Sequence, residues 1–282
     1  MSNVWIRDKV FKDVGMSIKV NETLLDSRTK FQKIEVHDTT RFGKVLVLDG
    51  AIQTTEKDEF TYHEMMAHVP INAHGNVKSV LIIGGGDGGA LEEVLKHKSV
   101  ERVVMVEIDE EVIRVSKQFL PSISKNAFED PRANIVIQDA VQWVKGAIEK
   151  FDVILVDRTD SVDDTDGISG DLYTSKFYKD CKNILNPQGI LVAQAGMITF
   201  SGGSITTDLC NAAQVWTKTS LFITAVPSYS GGFQAMLWAA DWNITSVSDQ
   251  DLVARQNLPD LKYYDARIHR ASFALPKFAQ AL

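Results

Sequence analysis

The chain has 282 residues, enough for one large or two modest domains with a buried core. Its 30 Lys and Arg residues against 37 Asp and Glu residues leave a net charge of −7, which argues against a nucleic-acid partner and for small cationic ligands. No apolar run approaches the roughly 20 residues of a membrane span, and the charged N-terminus is unlike a signal peptide. Two cysteines without a CxxC pattern fit a reducing compartment, so we expect a cytoplasmic protein without a membrane partner.

The N-terminal part alternates apolar and polar residues between turn signals such as Asp49-Gly50. This pattern predicts short strands over three segments, 15–27, 30–40 and 43–56. Residues 58–74 instead carry apolar side chains at helical spacing. We therefore predict an antiparallel β domain over residues 1–57 and a catalytic domain over residues 58–282 that begins with a helix.

Beyond residue 78, short apolar runs alternate with helical patterns. The runs are 79–84, 101–109, 134–139, 151–157 and 189–196. Continuous Val, Ile and Leu runs indicate strands buried on both faces, as in a parallel sheet covered by helices. Two later runs, 221–228 and 234–241, are joined by YSGGF and predict an antiparallel hairpin at one edge of the sheet. The fold class is α/β, with a Rossmann-like, methyltransferase-type sheet that is mostly parallel.

Acidic residues end three successive strands of this sheet. The first strand enters the loop Gly84-Gly85-Gly86-Asp87-Gly88-Gly89, whose glycines allow close approach of a ligand. Glu107, 23 residues after Gly84, is placed to accept hydrogen bonds from ribose hydroxyls, and Asp139 from an exocyclic amine. The loop alone fits a glycine-rich turn without a ligand, but the three acids together predict a nucleoside site at the carboxyl edge of the sheet.

Asp87 restricts the kind of nucleoside that fits this loop. A carboxylate there repels the pyrophosphate of a dinucleotide, and it repels the carboxylate of S-adenosylmethionine as well. It suits a ligand with a cationic tail, which describes decarboxylated S-adenosylmethionine with its sulfonium and primary ammonium. We therefore expect this molecule as a co-substrate and expect no separate cofactor.

The fourth strand ends in the pattern Asp157-Arg158-Thr159-Asp160. A single aspartate at a strand end is usually a cap or a turn former, but this pair beside the other strand-end acids favours catalysis. The acids that follow, Asp163, Asp164, Asp166 and Asp171, fit a solvated loop. Four histidines lack metal-site spacing, so we predict no metal site; they are His37, His68, His74 and His97. Trp238 is predicted to be a core aromatic.

Several stretches together resemble the spermidine synthases, a family of polyamine aminopropyltransferases. They are FQKIEVHDTTRFGKVLVLDGAIQTTEKDEFTYHEMMAHVP, VLIIGGGDGG, VEID and FDVILVD, and the ending YYDARIHRASFALP resembles bacterial members. The resemblance covers nearly the whole chain. It implies transfer of the aminopropyl group of decarboxylated S-adenosylmethionine to putrescine, giving spermidine and methylthioadenosine, by an enzyme that forms dimers or tetramers.

The resemblance also implies a role for each matched residue. On the donor side, Gln32 and Gln53 contact the nucleoside and sulfonium, Glu107 the ribose, Asp139 and Ala140 the adenine, and Asp87 the aminopropyl ammonium. On the polyamine side, the matched residues are His63, Asp87, Asp160, Gln194 and Tyr229, together with Tyr62. Asp157 matches the catalytic base, with Tyr62 assisting by a hydrogen bond. His63 stands where other members have glutamine, and Ala140 where many have glycine.

The reaction implied by this resemblance needs no metal and no covalent intermediate, because the sulfonium already activates the carbon that is attacked. The enzyme has to align two substrates and keep one amine unprotonated. An alkyl ammonium has a pKa of about 10. A nearby sulfonium disfavours a second positive charge and lowers that pKa, so a carboxylate such as Asp157 then accepts the proton.

This sequence departs from the family where the active-site lid follows Asp160. Ser161-Val162-Asp163-Asp164 replaces the usual P-x-G-P, and the stretch to Leu172 is longer than in typical bacterial members. We expect a lid that is more flexible than usual. The acceptor therefore stays open between putrescine and agmatine, cadaverine or spermidine. A small-molecule methyltransferase and a non-catalytic polyamine-binding protein are the remaining alternatives.

Overall fold

The computed structural model describes residues 4–160 and 170–282. A five-stranded antiparallel sheet comes first, confirming the predicted N-terminal β architecture. Its strands, which pair in sequence order, are β1 (Trp5–Arg7), β2 (Ser17–Arg28), β3 (Lys33–Thr39), β4 (Gly43–Leu48) and β5 (Ala51–Thr55). β1 was not predicted, because three residues are too few to show an alternating pattern.

Seven strands form the second sheet. They are β6 (Ser79–Gly84), β7 (Arg102–Glu107), β8 (Ala133–Ile137), β9 (Phe151–Asp157), β10 (Leu185–Met197), β11 (Lys218–Ala225) and β12 (Phe233–Ala240). The order is β11-β12-β10-β9-β6-β7-β8. Pairings from β8 to β10 are parallel, and β12 runs antiparallel to both of its neighbours. The mostly parallel sheet and the antiparallel hairpin at its edge are therefore confirmed.

Helices cover both faces of the second sheet. The helices of the described ranges are α1 (Glu59–His74), α2 (Gly89–Leu95), α3 (Glu110–Phe119), α4 (Pro121–Ser124), α5 (Ala140–Gly146), α6 (Ser175–Asn183), α7 (Gly202–Ala213), α8 (Asp249–Arg255) and α9 (Ala266–Ser272). Short 3-10 turns span Ala127–Glu129, Gly170–Tyr173, Ile244–Ser246 and Lys277–Ala281. Within the described ranges, no helix combines the length and the apolar character that crossing a membrane requires.

Side chains of β6, an interior strand of the second sheet, alternate between two buried cores. Val80 and Ile82 pack in the core that contains α1 and α2, and Leu81 and Ile83 pack in the core that contains α6 and α7. Trp238 is 1% exposed in the first of these cores, which confirms it as a core aromatic. Because both faces are covered, a ligand site is expected at the strand ends.

A single turn of α1 connects four parts of the molecule. The carbonyl oxygen of Thr61 accepts a hydrogen bond of 2.6 Å from Thr224 on β11. Tyr62 and His63 face the carboxyl ends of the sheet strands. Glu64 is fully buried and accepts three backbone N–H groups, from residues 262, 263 and 264, at 2.8, 2.9 and 2.7 Å. The C-terminal segment is thereby fixed to α1.

Replacing Glu64 with Ala is expected to lower the free energy of unfolding by about 3 kcal/mol, because three buried N–H groups lose their acceptor. Urea titration followed by circular dichroism would measure this loss. Glu22→Ala is a suitable control, since Glu22 is exposed on β2 and its loss should change stability by less than about 0.5 kcal/mol. Equal stability of the two variants would contradict the role of Glu64.

Candidate active site

A cavity lies at the carboxyl ends of β6, β7 and β9, where the first sheet and α1 face the second sheet. One wall is formed by the glycine loop, Glu107 and residues 157–160. The opposite wall carries Gln32 and Gln53 from the first sheet and Tyr62 and His63 from α1. Leu172, Gln194 and Tyr229 close one end. Most of the residues predicted to bind substrates therefore line one cavity.

Asp157, the last residue of β9, is bound by Tyr62. The Tyr62 hydroxyl donates a hydrogen bond of 2.6 Å to Asp157 Oδ1. Gly84 has a φ of +78°, and a Cβ there would lie 2.1 Å from the Asp157 carbonyl oxygen, so only glycine fits. Burial, together with the charge of Asp87, raises the pKa of Asp157 to about 6. A carboxyl with this pKa exchanges protons near neutral pH.

His63 lies between two carboxylates. Its Nδ1 is 2.7 Å from Glu59 Oε2, and its Nε2 is 3.3 Å from Asp87 Oδ2. Burial opposes a charge on His63, but the two carboxylates raise its pKa well above the usual value. The other oxygen of Asp87 accepts from the Gly89 N–H at 2.9 Å. The sequence reasoning missed Glu59, although its i, i+4 spacing to His63 on a predicted helix was a usable signal.

One side-chain nitrogen of His63 and one carboxylate oxygen each of Asp87 and Asp157 lie within 4.8 Å of one another. Gly89 makes this close approach possible, because a Cβ on that residue would lie 2.2 Å from the His63 ring. Burial would favour a neutral Asp87, yet the charge of His63 lowers its pKa below the usual value. His63 is therefore the cation that balances Asp87 in this cluster.

Glu107 ends β7 and is 8% exposed. Its Oε1 accepts a hydrogen bond of 2.9 Å from the Asp109 N–H, and burial raises its pKa to about 7. Asp109, which the sequence reasoning did not select, accepts hydrogen bonds from Gln32 Nε2 at 3.2 Å and Thr29 Oγ1 at 2.7 Å. Asp109 also caps α3, a role that conceals its second contact from sequence reasoning.

Asp160 and Gln194 meet at the end of the cavity that Leu172 and Tyr229 help to close. Gln194 Nε2 donates a hydrogen bond to Asp160 Oδ1. Burial raises the pKa of Asp160 to about 6, the Gln194 hydrogen bond opposes this, and the charge of Asp8 adds to it. Tyr229 donates to the carbonyl oxygen of Gln53 at 2.5 Å, which joins the hairpin loop to the first sheet.

Two residues that were predicted to bind the aminopropyl donor lie outside the lining of this cavity. Asp139 is exposed and accepts a hydrogen bond of 2.8 Å from the Val141 N–H, so it caps α5. Ala140 is buried in the core on the α6 side. Both follow β8, which is the edge strand of the sheet. Their contact with adenine stays a prediction.

The predicted lid falls mostly on residues 161–169, including Asp163, Asp164 and Asp166, and these lie outside the described residues. Asp171 is exposed in the 3-10 turn Gly170–Tyr173. The expected effect of the missing lid prolines therefore stays a prediction.

Two of the four isolated histidines meet in the core. His68 Nδ1 lies 2.9 Å from His97 Nε2, and His68 Nε2 lies 2.9 Å from Glu93 Oε2. Burial lowers the pKa of both histidines to about 3, so they are neutral. No local pattern indicated this contact, because His68 belongs to α1 and its partners lie 25 and 29 residues further along the chain.

The strand order, the glycine loop and the acid at the end of the second strand define the class of protein. It has a Rossmann-like fold of the methyltransferase type, in which ligands bind at the carboxyl ends of the strands. In this protein, an acidic cavity lies at the carboxyl ends of the strands, and residues of the separate five-stranded sheet line it as well.

Comparison with known proteins identifies the family within this class. A family model described as the spermine/spermidine synthase domain matches residues 59–249, and one described as the spermidine synthase tetramerisation domain matches residues 4–56. The polyamine aminopropyltransferase of Thermoanaerobacter sp. strain X514 is 43% identical, covering 98% of this chain and 97% of the relative. That of Klebsiella pneumoniae strain 342 is 42% identical, with coverages of 94% and 92%.

Solved structures agree. A spermidine synthase in complex with the transition-state analogue AdoDATO has 36% identity and a TM-score of 0.93, covering 100% of this chain and 95% of that one. The spermidine synthase of Thermotoga maritima has 35% identity and a TM-score of 0.91, with coverages of 100% and 94%. The chain belongs to the spermine/spermidine synthase family and is a polyamine aminopropyltransferase, which confirms the resemblance predicted from its motifs.

Proposed function

We propose that the enzyme transfers the aminopropyl group of decarboxylated S-adenosylmethionine to putrescine, producing spermidine and methylthioadenosine. The observation that carries this proposal is the partly buried Asp157, which accepts a hydrogen bond from Tyr62 and lines one cavity together with Asp87 and Asp160. The cavity thus offers a base and two further carboxylates. This arrangement matches a reaction between two cationic substrates and needs no metal or other cofactor.

The donor is proposed to bind across the glycine loop. Glu107 accepts from the ribose hydroxyls, Gln32 and Gln53 lie against the nucleoside and sulfonium, and Asp87 pairs with the aminopropyl ammonium. Asp139 and Ala140 are assigned to the adenine, at the end of β8. Asp87 lines the cavity close to Asp157, so an ammonium group held by Asp87 would lie next to the proposed base.

The acceptor is proposed to lie between Asp157 and Asp160. Asp160 pairs with the distal ammonium, and Gln194, Tyr229 and His63 line the path between the two ends. The attacking amine loses a proton to Asp157 and forms a C–N bond with the methylene carbon next to the sulfonium. The C–S bond breaks, and its electron pair remains on sulfur in neutral methylthioadenosine. Tyr62 holds the Asp157 carboxylate in line throughout.

An acceptor screen tests this proposal directly. The enzyme is incubated with decarboxylated S-adenosylmethionine and one amine at a time, and release of methylthioadenosine is measured. Putrescine should give the highest kcat/KM among putrescine, cadaverine, agmatine and spermidine. A higher value for another amine would change the acceptor but keep the reaction. Methyl transfer from S-adenosylmethionine, or no turnover with any amine, would contradict the proposal.

The pH dependence of kcat/KM for putrescine is expected to show an inflection near pH 6. Burial raises the pKa of both Asp157 and Asp160 to about 6, and both must be ionised, one to accept a proton and one to pair with ammonium. The value of kcat/KM should therefore fall as pH decreases through 6, and it should fall by more than about tenfold per pH unit at low pH because two groups are protonated. Steady-state rates at constant ionic strength measure this, and a profile without the inflection would contradict it.

We also propose that the enzyme acts in the cytoplasm as a homodimer or homotetramer that assembles through the first sheet. The match of residues 4–56 to a tetramerisation domain supports this, as does Trp5, which is 55% exposed on the edge strand β1. Sedimentation equilibrium should give a multiple of the 31.3 kDa chain mass. A monomer at micromolar concentration would contradict the assembly.

A further inference from the structure

Arg158 directly follows the proposed base and is buried together with its counterion. Its side chain is 0% exposed and that of Asp208, on α7, is 1% exposed. Arg158 Nη2 donates to Asp208 Oδ2 at 2.5 Å and to the Tyr178 hydroxyl at 3.1 Å. Tyr178 in turn donates to Asp208 Oδ1 at 2.5 Å. Neither charged residue is used by the reaction proposed above.

The other contacts of Arg158 converge on the acceptor end of the cavity. Its Nε donates to the carbonyl oxygen of Gln194 at 3.1 Å, and its Nη1 donates to that of Leu172. The Gln194 side chain in turn donates to Asp160. Arg158 therefore fixes the backbone of two residues that line the cavity, and through one of them it fixes the carboxylate proposed to bind the acceptor.

Tyr173 completes this assembly. Its ring centroid lies 3.3 Å from the Arg158 guanidinium carbon. Its hydroxyl donates to the Thr159 carbonyl oxygen at 2.8 Å and lies 3.3 Å from Gln194 Oε1. The Gln194 amide nitrogen donates to Asp160, while its oxygen faces the Tyr173 hydroxyl. The Arg158 side chain thus contacts Gln194, Leu172, Tyr173, Tyr178 and Asp208, and none of these five residues belongs to the glycine loop.

We propose that Arg158, held by Asp208, is a positioning residue that keeps the Asp160–Gln194 pair and Leu172 in the arrangement that receives the distal ammonium of the acceptor. This inference rests on the proposed function. Its specific content is that the ion pair between Arg158 and Asp208 serves acceptor binding, whereas donor binding does not depend on it.

Energetics separate this role from a purely structural one. A buried ion pair carries a large desolvation cost, and well-packed apolar residues of similar volume often stabilise a fold equally well. If Arg158 and Asp208 served stability alone, an apolar pair could replace both without functional loss. If they position Asp160 and Gln194, the apolar pair keeps the fold but no longer holds these two residues in place, so the acceptor binds more weakly.

The test uses the full-length double variant Arg158→Met/Asp208→Leu, which removes both charges together. The single variant Arg158→Met is avoided as the main test, because it leaves the Asp208 carboxylate buried without its partner. In the double variant, the KM for putrescine should rise about tenfold to a hundredfold. The affinity for methylthioadenosine and the kcat at saturating putrescine should stay within about threefold of the parent values.

Leu221→Ala provides a control for general loss of stability, because Leu221 is buried on β11 in the same core and does not line the cavity. It should lower the melting temperature without raising the KM for putrescine. An unchanged KM in a folded double variant would overturn the proposal. So would failure of the double variant to fold, or an equal weakening of donor and acceptor. Absence of turnover in the parent enzyme would instead point to failure of the proposed function.

Discussion

Asp157→Asn is expected to lower kcat by about 10²–10⁴-fold, because an amide cannot accept the proton that the attacking amine loses. The oxygen of the introduced amide would still accept the Tyr62 hydrogen bond, which is 2.6 Å long in the parent, so the geometry of the site should survive. Release of methylthioadenosine at saturating concentrations of both substrates measures the effect. Affinity for methylthioadenosine should remain unchanged, since that ligand gives no proton to the base.

Asp180→Asn is the matched control for this substitution. Asp180 is a partly exposed carboxylate on α6, paired with Lys176 at 2.9 Å, and does not line the cavity. Its replacement should leave kcat unchanged. An Asp157→Asn variant that keeps more than about a tenth of the parental kcat would exclude Asp157 as the base.

Asp87→Asn is expected to weaken binding of decarboxylated S-adenosylmethionine by about 10²-fold. The reason is that removing one partner of a buried carboxylate–ammonium pair costs several kcal/mol. Binding of S-adenosylmethionine should weaken less or improve, because its own carboxylate no longer meets a negative charge. The affinity ratio of the two nucleosides should therefore decrease. Isothermal titration calorimetry measures both constants.

Methylthioadenosine is the control ligand for Asp87, because it has the same nucleoside but neither the ammonium nor the sulfonium charge. Its affinity should be the same in the parent and in Asp87→Asn. Equal weakening of all three ligands would show that Asp87 supports the loop or the nucleoside, and the assignment to the ammonium would then be wrong.

Sequence reasoning succeeded where a residue is defined by its place at a strand end. Glu107 and Asp157 follow continuous apolar runs, and parallel strands present their carboxyl ends at one edge. The glycine loop was equally predictable, since Gly84 adopts a positive φ that other residues avoid. Local pattern and general topology were sufficient for these positions.

Sequence reasoning failed where the partner is distant in the chain or performs a second local role. Arg158 and Asp208 are 50 residues apart, and no periodicity links a loop arginine to an aspartate on α7. Asp109 resembles an ordinary helix cap, yet it also holds Gln32. The position of β12 between β10 and β11 was also not predicted, because a hairpin pattern does not reveal which of its strands faces the sheet.

The turn of α1 over residues 61–64 has a consequence for engineering the acceptor range. Thr61 bonds to β11 through its backbone, whereas the side chains of the next three residues bond to Asp157, to Asp87 and to the C-terminal segment. A library randomised at these three positions would therefore lose the partner of the base, the partner of Asp87 or the anchor of the C-terminal segment in most of its members. Diversity is better introduced at Leu172, which lines the cavity while its backbone is held by Arg158.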